Sequence, residues 1–122
     1  MSVSTRTGIY DLMNNVETDV YPVIAPQGLT DPYAVYSVRF EYIRTQDGIA
    51  IKDGYLTVDI YADKYADCGS LADTVRDNLD NQNGTYNSEV MFVAYITSEV
   101  DGYIPELDKF VITQEYVLRF EV

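Results

Sequence analysis

The side chains in this chain that are able to do chemistry are carboxylates, phenols and one thiol. Its 122 residues include 20 Asp and Glu, 12 Tyr, one Cys and no His. Without His there is no Ser-His-Asp triad, no Cys-His dyad and no His-bound metal. A single Cys gives neither an internal disulfide nor a thiolate cluster. Among the acids, Asp101, Glu106 and Asp108 lie close together, and Asp59 sits within a strand pattern. A pair of carboxylates doing acid–base work needs a cleft, a fixed separation and environments that drive the two pKa values apart. No spacing here supplies those, and no phosphate-cradling Gly-rich motif is present. Residues 77–89 are rich in oxygen ligands, yet placing Gly84 at the sixth position of a calcium loop puts Leu79 first and Val90 last. Both of those positions require oxygen. Cys68 falls on an apolar stripe and reads as a small core residue. The expectation is a protein that is not an enzyme, with no cofactor and no metal.

The elements that must position any surface follow from charge and periodicity. The formal charge is −12 from eight Lys and Arg against those acids. Such a surface does not grip nucleic acid, which is held by displacing counterions with cations. With 47% hydrophobic and 23% charged residues the composition is that of a globule, and the expectation is a single domain over residues 1–122. No secretory signal is readable at the N-terminus, and no apolar run approaches the ~20 residues of a membrane-crossing helix. Folding in a reducing cytoplasm is expected, so the sequon Asn83-Gly84-Thr85 reads as a turn.

Ile9, Leu12, Met13 and Val16 share one face of a short predicted helix. Residues 18–32 read as extended and loop-like, because Pro22, Pro26 and Pro32 each fix φ and push their predecessors out of the α region. Residues 33–42 alternate as a strand, with Ala34, Tyr36, Val38, Phe40 and Tyr42 on one side. Two Asp-Gly pairs, Asp47-Gly48 and Asp53-Gly54, signal a hairpin tip over residues 46–54. Residues 55–62 are the returning strand. A second helix begins at Asp63 or Asp67, with Tyr65, Cys68, Leu71, Ala72, Val75 and Leu79 inward and Asp67, Ser70, Asp73, Thr74 and Asp77 outward. Residues 81–88 stop it. Residues 89–98 form a third strand, a loop runs from Asp101 to Lys109 through Pro105, and residues 109–122 form the last strand. The predicted fold class is α+β, in the order α-ββ-α-ββ: a four-stranded, mainly antiparallel sheet with two helices on one face.

Tyr outnumbers Phe twelve to four, and Tyr33, Tyr36, Tyr42, Tyr55, Tyr61, Tyr95 and Tyr116 lie in or beside strands. Large contact area with a polar tip suits protein–protein surfaces, and strand propensity alone also favours Tyr on an open sheet face. The step Tyr21-Pro22, then Ala25-Pro26-Gln27-Gly28 and Pro32-Tyr33-Ala34-Val35-Tyr36, resembles the tail-terminator or tail-completion proteins of long-tailed bacteriophages. The resemblance continues through residues 56–62 and the helix holding Ala66, Leu71-Ala72, Val75-Arg76 and Leu79. Tyr61 stands where many relatives carry Trp, and the C-terminal third has almost no family signature.

The resemblance implies a virion structural protein: a ring, usually of six subunits, at the head-proximal end of the tail tube. Such a ring stops tube polymerisation and offers a surface to the head connector. Its partners would be other copies of itself, the tail-tube protein and the head connector protein, with the host cytoplasm as the place of assembly. A globule of this size is about 35 Å across, and six in a ring leave a hole of roughly the same width, enough for a DNA duplex. An acidic lumen repels phosphate and lets DNA slide through unbound. Expected interface residues are Tyr21 and Gln27 in the Pro-rich segment, with Ile49, Ile51, Tyr103 and Ile104 as apolar anchors on loops. For Ile49 and Ile51 a short paired strand is an equal reading. Two alternatives remain open: another head–tail connector or minor tail component of similar fold, and an acidic mimic of nucleic acid that inhibits a host enzyme. For the mimic, negative charge should gather on one face, and here the acids are scattered through strands, helix and loops.

Overall fold

The computed structural model describes residues 9, 13, 20–22, 32–80, 82–86 and 89–121. Six strands form one sheet: β1 (Val20–Pro22), β2 (Tyr33–Thr45), β3 (Gly48–Ala62), β4 (Gln82–Tyr86), β5 (Glu89–Ile104) and β6 (Lys109–Glu121). Helix α1 (Tyr65–Leu79) joins β3 to β4. The spatial order is β1-β2-β3-β6-β5-β4. β1 runs parallel to β2 and every other neighbouring pair is antiparallel, so the sheet is mixed.

This corrects the expected four-stranded sheet under two helices. β1 and β4 are additional edge strands, taken from segments that read as loop and turn. One helix is described in full. Of the predicted first helix only Ile9 and Met13 are described; both are helical and buried in the core. Its other residues lie outside the described ones.

The alternating pattern works as expected through the centre. Ala34 and Tyr36 of β2, Leu56, Val58, Ile60 and Ala62 of β3, and Ile112, Tyr116, Leu118 and Phe120 of β6 are buried on one face. Cys68, Leu71, Ala72, Val75 and Leu79 of α1 pack onto them. Tyr65, assigned to that stripe from its spacing, is half-exposed at the start of α1, where its ring meets Phe110 edge-on. The acidic residues Asp67, Asp73 and Asp77 face solvent as expected.

The hairpin tip is shorter than expected. Only Gln46 and Asp47 turn the chain, and Gly48 follows at φ 125°, a left-handed value that favours glycine. Ile49 and Ile51 belong to β3. A register shift opposite Ile43 and Arg44 leaves Ala50 as the extra residue of a bulge. The second Asp-Gly pair is not a turn at all. Asp53 lies opposite Arg119 of β6 and accepts two hydrogen bonds from its guanidinium, at 2.8 and 3.0 Å. A Cβ on Gly54 would meet Val38 at 3.3 Å and Phe40 at 3.4 Å, so glycine leaves room for those side chains to cover the strand. Asp101-Gly102 likewise continues β5, and the predicted loop shrinks to residues 105–108.

One polar network crosses the core. Gln114 of β6 is fully buried. Its amide donates to the Ala72 carbonyl of α1 at 2.8 Å and to Glu99 of β5 at 2.7 Å. Its carbonyl accepts from the Tyr116 hydroxyl at 2.7 Å. Glu99 in turn meets Arg76 of α1 at 3.3 Å, and Asp73 holds the same guanidinium at 2.7 Å. The backbone N–H of Ile96 donates to Asp80, just past the helix. Helix and sheet are thus registered by directional bonds as well as by apolar contact.

Cys68 is buried, with its sulfur 3.2 Å from the Ile60 carbonyl. Burial pushes the thiol up to about 11 from an ordinary 9.0. Burial also raises the Tyr116 phenol. Both groups are neutral when protonated, so the fold favours their protonated forms. Their contribution is fully present below pH 9 and is lost between about pH 9 and 11 for the thiol. We expect urea midpoints to be flat from pH 7 to 9 and to fall above that. A thiol reagent at pH 8 should leave the native protein untouched and label one group after unfolding.

Candidate assembly surface

α1 covers one face of the sheet; on the other, among the described residues, no element packs. That open face carries aromatic and charged side chains in pairs. Tyr33 and Tyr61 stack with ring centroids 5.4 Å apart. The Arg39 guanidinium lies over the Tyr55 ring at 4.5 Å and pairs with Glu41. Thr113 donates to Asp59 at 2.7 Å. The Tyr61 phenol is held above its usual value by burial and by the nearby Asp59 charge. Ser37, Arg39, Tyr55, Thr57, Thr97 and Glu115 help to line a shallow depression of about 280 Å³ on this face. The expected Tyr-rich open face is therefore real for Tyr33, Tyr55, Tyr61 and Tyr95, while Tyr36 and Tyr116 belong to the core.

A second cluster sits at the end of the sheet where β5 meets β6. Tyr65 and Tyr103 both approach Phe110 edge-on, at 5.5 and 5.2 Å. The Tyr65 hydroxyl donates to Asp101 and the Tyr103 hydroxyl to Asp108, which raises both phenols. Leu107 projects from the adjoining turn. This is a rim of tyrosines tied down by carboxylates. Among the described residues no group of three or more Cys, Asp or Glu is placed to hold a metal ion, and no helix is long and apolar enough to cross a membrane.

The expected interface residues separate into distinct places. Tyr103 is exposed and Ile104 half-buried, at the last positions of β5. Ile51 is half-buried in β3 opposite Ile43, at the far end of the sheet. Ile49 is paired with Arg44, and its side chain lies outside the described residues. Of the two equal readings of Ile49 and Ile51, the paired strand holds and the loop setting is corrected, since the tip turns at Gln46-Asp47. Tyr21 is half-buried in β1 opposite Val35, and Gln27 lies outside the described residues. The two isoleucines and the Tyr103 cluster are about 35 Å apart along β6, from the rise per strand residue. Spacing did not point to Arg39, Ile43 or Val100, all of which are exposed on strands. The signal was a strand pattern running past residues 42 and 98.

No protein-family model matches the chain, and no curated protein sequence matches it at a significant level. A solved structure with a similar fold is a chain from the virion of a native gene transfer agent (GTA) particle. The TM-score is 0.69 at 18% sequence identity, and the match covers 91% of this chain and 84% of that chain. The likeness is one of fold, and it extends over nearly the whole of both chains.

Proposed function

We propose that this chain is a virion structural subunit that closes into a ring of six and caps the tail tube at its head-proximal end. The observation that carries the reading is the likeness of fold, over most of both chains, to a chain of a GTA virion particle. The phage-like Pro-rich segment and the chain's acidity support it. The role is structural: the chain binds copies of itself, the tube and the head connector, and DNA passes without specific contact. The distance between the two ends of the sheet suits such a part. With the strands inclined to the ring axis, the Gln46-Asp47 turn lies toward one end of the ring and the 105–108 turn toward the other. Side-to-side contacts that close by rotation leave no free lateral surface for growth.

Gold labelling of a tag in the 105–108 turn tests the position. We expect label at one level, where tail meets head. Label spread along the tube or at the distal tip would assign a different virion part. Absence from purified particles, with tight binding to a host enzyme instead, would favour the nucleic-acid mimic.

A further inference from the structure

Among the described residues, two edges of this sheet are left open. β1 pairs with β2 only at Ala34, Val35 and Tyr36. β4 pairs with β5 no further along than Ala94. Among the described residues, no strand lies beside the outer edge of β2 over residues 37–45 or that of β5 over residues 97–104. Neither stretch contains proline, and an open edge of this length is a template for another strand. The two are similar in length and opposite in charge. In a chain with eight basic residues, the β2 stretch holds Arg39 and Arg44 beside one acid, Glu41. The β5 stretch holds Glu99 and Asp101 and no cation. Exposed large apolar residues also fall there: Tyr42 and Ile43 on one edge, Val100 and Tyr103 on the other.

We infer that the outer edge of β2 in one copy adds antiparallel to the outer edge of β5 in the next. β2 and β5 already run in opposite directions within the sheet. A second copy placed alongside therefore presents the correct polarity. Register follows from the faces. On β2 the even-numbered residues lie on the helix side; past its bulge, β5 places Glu99, Asp101 and Tyr103 there, opposite Gln114, Ile112 and Phe110. Partners must share a face, so their residue numbers add to an odd sum. Of these registers, one sets Arg44 against Glu99, Ile43 against Val100 and Phe40 against Tyr103. The neighbouring register toward the start of β5 sets Tyr42 against Glu99 and Phe40 against Asp101, and the one beyond shortens the overlap. Each copy offers one edge of each kind, so the contact is heterologous and closes into a ring or extends as a filament. This inference rests on the ring reading and supplies its subunit contact.

Cross-linking in the full chain tests it. Ile43→Cys and Val100→Cys are each made singly and together, and oxidised with and without tail tubes. Buried Cys68 stays silent. An equal mixture of the single variants should give a covalent dimer, because 43 of one copy faces 100 of the next. The double variant should give a ladder that ends at the ring number, and each single variant alone should stay monomeric. Rings that assemble without any 43–100 link, or Ile43→Cys linking to itself, would overturn the edge pairing and leave the ring reading intact. A chain that stays monomeric throughout, tubes included, overturns both.

Discussion

Replacing Leu56 by alanine should cost about 3–4 kcal/mol of unfolding free energy, while Thr57→Ala, one residue along, should cost less than about 1 kcal/mol. Leu56 is fully buried between Val38 and Tyr116 on the helix side of the sheet. Truncation there removes its transfer free energy and leaves a cavity that strands on both sides cannot collapse to fill. Thr57 points to the open face and is partly exposed. The contrast checks the register of the central strand, because a slip of one residue exchanges the two faces and would reverse the order. Urea denaturation of both variants, read by circular dichroism, gives the answer directly. Equal losses would mean that the far side of the sheet is covered as tightly as the helix side.

Gln114→Leu should destabilise the fold by about 3 kcal/mol, with a fall in Tm of about 10 °C. Leucine fits the apolar surroundings but satisfies none of the amide's partners. The buried Tyr116 hydroxyl then loses its acceptor, and Glu99 loses a donor that helps to tie β5 to the helix side. Tyr116→Phe alone removes one donor and should cost about 1 kcal/mol. The two changes touch the same bond, so the double variant should cost about 1 kcal/mol less than the sum of the singles. Additive losses would show that the Tyr116–Gln114 bond contributes nothing beyond shape.

The central strands were readable because burial on one face imposes period two, and α1 because its inward residues recur at three and four. The ends of these elements were not. Asp-Gly is a turn signal only where the backbone needs a positive φ, as Gly48 does. Asp53-Gly54 and Asp101-Gly102 carry the same letters inside strands. There each aspartate has a partner, Arg119 or the Tyr65 hydroxyl, and each glycine makes room for a side chain of an adjacent strand. Those partners lie 66 and 36 residues away in the chain, so no local window contains them. β1 and β4 hold Pro22 and Gly84, residues that local propensity disfavours in strands, and the edge of a sheet tolerates both. Gln114 sits at the inward parity of β6 and is the hub of the core's polar network, although its residue type alone does not mark it as a core position. For the proposed interface, a loop-based reading names Tyr103 and passes over Ile43 and Val100, because strands running beyond the core present edge backbone as well.

The central claim is that this chain ends tube growth, and elongation of tail tubes measures it most directly. Growing tubes receive free tube subunits with and without the purified protein, and their lengths are followed by electron microscopy. The account predicts that lengthening stops at substoichiometric amounts and that a ring of this protein sits on one end of each arrested tube. Tubes that keep growing at the same rate, with none of this protein at their ends, would contradict it.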